Sequence, residues 1–272
     1  MIHALLAPFA YAFMQRALVA ACIVGILCSM MGTYVVLRKL AFIGDGLAHA
    51  SFAGIVIAYL QNIDYQLGAA VVAVLTALGI GFVHRKGKVS LDTSIGVLFT
   101  AAFALGIFLM SRQTRYTLDL QSFLFGDILS VTRGDLIFII VVSAAVFIAA
   151  MLAFRDMLFA SFDPVVAEAA GLPVKWLDYG LLVALALTIV VSLQSVGIVL
   201  VAALLVTPAA AAYQLAKRFT PMLLLSAAFG VTSTVGGLYA SYFLGSSSGA
   251  TIVLVATLLF FIAVALKRLR PA

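Results

Sequence analysis

The chain has 272 residues, of which 65% are hydrophobic and only 10% charged. That composition excludes a soluble globular domain and points to an integral helical membrane protein with many spans. The net charge of +6 is no nucleic-acid footprint, and no nucleic-acid partner is expected, because Lys and Arg sit at the ends of apolar runs, where orientation signals lie.

Residues 1–16 are apolar but short and broken by Pro8; they read as an N-terminal helix lying in the membrane interface and ending near Gln15 and Arg16. No cleavable signal peptide is expected, since this segment lacks a basic start and a small-residue cleavage site. The spans then follow in order: 17–37, 40–60, 67–83, 94–110, 136–154, 179–193, 198–213, 222–244 and 251–266. This makes nine transmembrane helices, or eight if the short segments around Gln194 and Pro208 are one. Between the fourth and fifth spans, a polar stretch holds a short apolar piece, 123–131, too short to cross and suited to a half-helix or re-entrant segment. Cys22 and Cys28, six residues apart in the first span, do not share a helical face and read as packing residues.

Orientation follows from the basic residues. With the Arg38–Lys39 loop inside, the inner side also holds Arg85, Lys86, Lys88, Arg155, Lys175, Lys217, Arg218, Lys267, Arg268 and Arg270, and the outer side only Arg16, Arg112, Arg115 and Arg133. The N-terminus is therefore expected outside and the C-terminus inside.

The second span carries Asp45 and His49. Ionisable groups at bilayer depth are costly and mark functional paths. A spacing of four residues puts both side chains on one helical face. A carboxylate and an imidazole converging there suit a divalent transition metal; the competing reading is a hydrogen bond to a neighbouring span. Counted from the basic start at Lys39, at about 1.5 Å per residue, Asp45 falls about 9 Å and His49 about 15 Å along the axis, which puts His49 near the midplane of a core about 30 Å thick.

Residues 155–178 form a cytoplasmic loop under this topology. Asp163 followed by Pro164 is an N-cap and first-turn pair, and Gly171 with Pro173 soon after is a stop, so a helix of roughly two turns is expected between them. It reads either as a capped linker or, with its small residues, as an element that inserts into another protein.

Glu168-Ala169-Ala170-Gly171 resembles the coupling-helix motif of ABC importer permeases. Five further stretches resemble one branch of them, the bacterial importers of zinc, manganese or iron: Val36 to Lys39, Gly44 to Ala50, Asp92 to Gly96, Leu124 to Leu129 and Leu205 to Ala210. They occur in the family's order over nearly the whole chain. The coupling loop departs from the longer form of the motif in that Gly171 follows Ala170 at once.

The resemblance implies an all-α integral membrane protein of the type II ABC importer-like permease class, a single transmembrane domain over 1–272. It implies a homodimer in the bacterial cytoplasmic (inner) membrane, two copies of an ATP-binding subunit, and an extracytoplasmic metal-binding protein that delivers the ion. No cofactor is expected to stay bound, the divalent metal being cargo. The residues agree on one point independently: the chain contains no G-x-x-x-x-G-K-[ST] phosphate loop, so ATP hydrolysis falls to a partner. Asp45 and His49 match the family's metal-path positions, and Asp163, Glu168, Ala169, Ala170 and Gly171 its ATPase-coupling element. Two donors do not complete a shell of roughly four ligands. The external stretch offers Asp119 and Asp127, with Gln121 as a weaker donor; each carboxylate reads equally as a solvated loop group or a cap. Within the family, Ala50-Ser51-Phe52-Ala53-Gly54 lacks the Leu-Pro-Gly associated with manganese members, which leans the expectation to zinc. The alternative function is a stand-alone secondary transporter or channel for the same ions. An intramembrane metalloprotease is disfavoured, because His-Glu-x-x-His is absent.

Overall fold

The computed structural model describes residues 11–112, 126 and 128–269. Among these there is no strand; the chain folds into α1 (Ala12–Leu37), α2 (Ile43–Gln61), α3 (Tyr65–Gly87), α4 (Leu91–Ser111), a 3-10 turn at Ile128–Ser130, α5 (Arg133–Leu152), α6 (Phe154–Phe162), α7 (Pro164–Ala169), α8 (Val174–Val196), α9 (Ile198–Leu215), α10 (Phe219–Leu244) and α11 (Ser248–Leu269). Nine of these, all but α6 and α7, are long and apolar enough to cross a membrane. The expected all-helical, nine-span membrane fold is therefore what the described residues form.

Helices begin earlier than hydropathy places them where the first turn is polar. α3 starts at Tyr65 because Asp64 caps it, accepting from Gln66 N at 2.8 Å and Leu67 N at 3.1 Å. α4 starts at Leu91 behind Ser90, whose Oγ accepts from Thr93 N at 3.1 Å. At the N-terminus the expected break at Gln15 and Arg16 is absent: α1 runs through both from Ala12, and Arg16 Nε donates to Val131 O at 3.0 Å. That bond gives a charge inside the helix a partner, so the charge does not end it. α8 likewise starts at Val174, five residues before the expected Tyr179. α9 continues through Pro208 to Leu215.

The chain forms two compact units. One holds α1, α5 up to Ser143, and everything from Val191 onward. Its helices meet through small and hydroxyl residues: Ser226 Oγ donates to Ser29 O at 2.7 Å, and the buried Cys28 Sγ lies 3.2 Å from Ser192 Oγ. Cys22 and Cys28 are both free thiols.

The second unit runs from Leu37 through α4 and from Ala144 to Val190. It contains both candidate elements. α2 is its most enclosed helix, with 67% of its span buried, against 39% for α3 and 22% for α4. α2 lies against α3 at Gly54 and Gly68, where a Cβ on Gly54 would strike the Gly68 carbonyl oxygen. Only two glycines permit that approach, the packing device of membrane helices, which lack a hydrophobic drive to associate. On another side Gly46 faces Ile95 of α4. The Asp92–Gly96 stretch thus opens α4, with Ser94 and Ile95 buried against the helix that carries Asp45 and His49.

Candidate functional site

α2 begins at Ile43, not at Leu40, because the backbone turns at Lys39, which takes a left-handed φ of +57°, and Ile43 N bonds Leu40 O at 3.0 Å. Asp45 therefore sits in the first turn of α2, and His49 one turn further, about 9 Å from the helix start. The expected midplane position counted residues that belong to the turn. In the first turn, a carboxylate is also favoured by the helix dipole.

The structure brings the pair together as the spacing predicts. His49 Nδ1 lies 3.3 Å from Asp45 Oδ1 and 2.9 Å from the Asp45 carbonyl oxygen. A carbonyl only accepts, so in the neutral ring Nδ1 is the donor of this bond and Nε2 is the nitrogen with a free lone pair. The ring is held from α4: Phe103 meets it edge-on, with centroids 5.3 Å apart and planes at 87°, and Phe99 stands at 6.2 Å. The side chain of Asp45 is 50% exposed and that of His49 24% exposed. The pair is therefore fixed on its inner side and reachable on its outer side, which suits a ligand that arrives and leaves. Among the described residues no group of three or more His, Cys, Asp or Glu could hold a metal. Asp119, Gln121 and Asp127 lie outside the described residues.

The 155–178 loop folds around two short helices, α6 and α7. Asp163 Oδ1 accepts from Val166 N at 3.0 Å and Pro164 occupies the first turn of α7, as the sequence predicts. Gly171 ends it at φ +85°, a conformation that glycine adopts without cost, and Leu172 N closes back onto Ala167 O at 3.1 Å. Ala167 is fully buried with Ala160 and Val174, and these three anchor the loop. Glu168, Ala169, Ala170 and Gly171 are all exposed. So are Phe162, Val165 and Val166, which sequence reasoning missed; three apolar residues around the start of a helix that does not span were the available signal.

A second missed group lies at the base of α2. Arg38 Nη1 and Arg85 Nη2 donate to the two oxygens of Asp178, at 2.6 Å and 2.5 Å. Arg38 Nε also donates to Ser161 Oγ at 2.9 Å. His84 donates from Nδ1 to Val89 O at 2.7 Å, tying the α3–α4 turn.

A multi-helix membrane protein with a carboxylate–imidazole pair on a buried helix and an exposed capped helix on a loop is the class of a metal-transport permease. The ABC 3 transport family profile matches residues 10–267, and the chain belongs to that family. It is similar to the manganese transport system membrane protein MntC of Halalkalibacterium halodurans, at 45% identity over 253 residues, covering 93% of this chain and 87% of that protein. It is also similar to the chelated iron transport system membrane protein YfeD of Yersinia pestis, at 36% identity over 264 residues, covering 97% and 89%. Among solved structures it resembles PsaBC from Streptococcus pneumoniae in complex with Fab, with a TM-score of 0.85 at 35% identity over 97% of this chain and 95% of that one. The chain is the membrane-spanning permease component of a metal ABC importer.

Proposed function

We propose that this permease carries manganese(II) first and iron(II) next into the bacterial cytoplasm, through a path in which Asp45 and His49 are the protein's ligands. The observation that carries the reading is the pair itself, with Nδ1 tied to the Asp45 carbonyl and Nε2 left for a metal. One oxygen and one nitrogen donor suit manganese, iron and zinc alike, so the pair does not choose among them. The sequence leaned to zinc; the manganese and iron names of the relatives above support the new order. In this reading Asp119 and Asp127 are further oxygen donors on the external side, and no cofactor stays bound.

The permease acts as a homodimer in the inner membrane with two ATP-binding subunits and an external metal-binding protein. The exposed Glu168–Gly171 turn and its apolar neighbours Phe162, Val165 and Val166 support α7 as the contact that receives the ATPase. The test is reconstitution of the permease with its ATP-binding subunit and binding protein in liposomes. Uptake of manganese(II) that requires ATP is expected. Full uptake by the permease alone, without ATP, would establish the stand-alone transporter instead.

A further inference from the structure

We infer that Ser161, Arg38 and Asp178 form the link through which the coupling loop positions the metal-bearing helix α2, a proposal that rests on the importer reading above. Arg38 stands seven residues before Asp45, at the foot of α2. Its side chain reaches two other elements at once. Nε donates to Ser161 Oγ on α6, two residues before the Asp163 cap of the coupling helix, and Nη1 donates to Asp178 Oδ1 in α8. Asp178 Oδ2 is held by Arg85 from the end of α3. One carboxylate and one hydroxyl thus join α3, α6 and α8 to the residue that leads into α2.

Three features make this more than an orientation signal. Ser161 is itself fixed, donating to Met157 O at 2.6 Å, so it moves with α6. The stretch between Arg38 and α2 is short and anchored at both ends: Lys39 holds a left-handed conformation rare outside glycine, and Leu40 and Ile43 are 2% and 0% exposed, though Phe42 between them is 70% exposed. A pull on Arg38 therefore reaches the first turn of α2. Finally, the group has room to change. A cleft of ≈ 250 Å³ lies beside it, lined by Arg38, His84, Arg85, Ser161, Pro164 and Asp178. The third guanidinium nitrogen, Arg38 Nη2, is buried without a hydrogen-bond partner among the described residues. A buried nitrogen without a partner is costly, and a shift of the guanidinium toward the cleft would be the second arrangement that the link uses. Arginine is required here and lysine is not equivalent, because only a planar fork reaches a hydroxyl and a carboxylate together.

The test uses the assembled complex in liposomes, with manganese(II) delivered by the external binding protein, and reads uptake and ATP hydrolysis together. Ser161→Ala removes one contact, Arg38→Lys keeps the charge but cannot make both contacts, and Asp178→Asn weakens the hub. Each is expected to lower manganese taken up per ATP hydrolysed by about fivefold or more, the range of an energetic coupling between sites, with complex yield unchanged. The Ser161→Ala/Arg38→Lys double variant is expected to be no worse than the worse single one. A role in stability alone lowers yield and leaves the ratio as in the wild type; an unchanged ratio in Ser161→Ala and Arg38→Lys overturns the proposal, and these two decide if Asp178→Asn fails to assemble. Absence of ATP-dependent uptake by the wild-type complex would overturn the importer reading itself.

Discussion

Asp45 and Asp178 are both carboxylates of the same compact unit, and they differ in how far their neighbours satisfy them. Asp178 is closed: two arginines take its two oxygens at 2.6 Å and 2.5 Å, and its side chain is 30% exposed. Asp45 is open: among the described residues its one ion-pair partner is His49, at 3.3 Å, and half of its side chain is accessible. A carboxylate whose lone pairs are already taken has little left for a cation, whereas an unsaturated one beside a fixed imidazole has. Under the proposed function the first group serves mechanics and the second the ion, and each role makes its own demand on mutants.

The strongest way to break the contrast is to disarm the open pair. Asp45→Asn keeps shape and removes charge; His49→Ala removes the nitrogen donor. Both are expected to reduce metal uptake by the reconstituted complex to background, while expression and assembly remain near normal, because neither side chain is buried and neither supports a core contact beyond the His49 ring. Transport of labelled manganese, iron and zinc is the measurement. Near-normal uptake by both variants would make the pair structural and move the ion's path elsewhere.

The next effect lies on the closed side, at the helix that hangs from it. Ala169 is exposed, so Ala169→Asp leaves the fold of the permease undisturbed. In a packed contact with the ATPase the same change places an unpaired charge, at a cost of about 3 kcal/mol or more. Release of the ATP-binding subunit on copurification is expected, with the permease still in the membrane. Unchanged complex yield and unchanged transport together would remove α7 from the interface.

Much of this was legible in the sequence, for identifiable reasons. The spans follow from apolar runs, α7 from Asp163-Pro164 and Gly171, and the pair from a spacing of four, all of them local signals. Helix starts were misplaced because Asp64 and Ser90 make polar first turns that hydropathy excludes. The start of α2 was placed three residues early because nothing local reveals the turn at Lys39. The Asp178 hub was invisible: its partners Arg38 and Arg85 lie 140 and 93 residues away in the chain. Each arginine looked like an orientation signal, and only tertiary folding brings both to one carboxylate.

A smaller effect sharpens the contrast through stability. Asp178→Asn weakens two ion pairs that are partly screened by solvent, with Arg38 at 15% and Arg85 at 34% side-chain exposure. A loss of about 1 kcal/mol is expected, above the value of an ordinary surface pair but well short of a buried one. Asp45→Asn gives up mainly its dipole interaction in the first turn, about 0.5 kcal/mol. Thermal unfolding of the purified permease should therefore rank Asp178→Asn below Asp45→Asn. The reverse order would mean that Asp45 bears on the fold more than its open surroundings indicate.

The smallest expected effect concerns what holds the open pair in place. Two of the contacts on His49 are the Nδ1 bond to the Asp45 carbonyl and the edge of Phe103 at 5.3 Å. Phe103 is in turn packed on Phe52, one turn below His49 on the same helix, with centroids 5.5 Å apart. Phe103→Leu keeps an apolar side chain but loses both ring contacts. An aromatic pair contributes about 0.5 to 1.5 kcal/mol beyond its area, equivalent to about two- to tenfold in an equilibrium constant. The imidazole would then lose the ring contact from α4 that limits its orientations. The metal concentration for half-maximal uptake is expected to rise by that factor, with maximal uptake and complex yield close to wild type. Phe99→Leu, whose ring stands further off at 6.2 Å and tilted, should shift it less. If Phe103→Leu takes up metal with unchanged concentration dependence, the carbonyl bond alone sets the ring, and the aromatic wall of α4 is packing rather than part of the site.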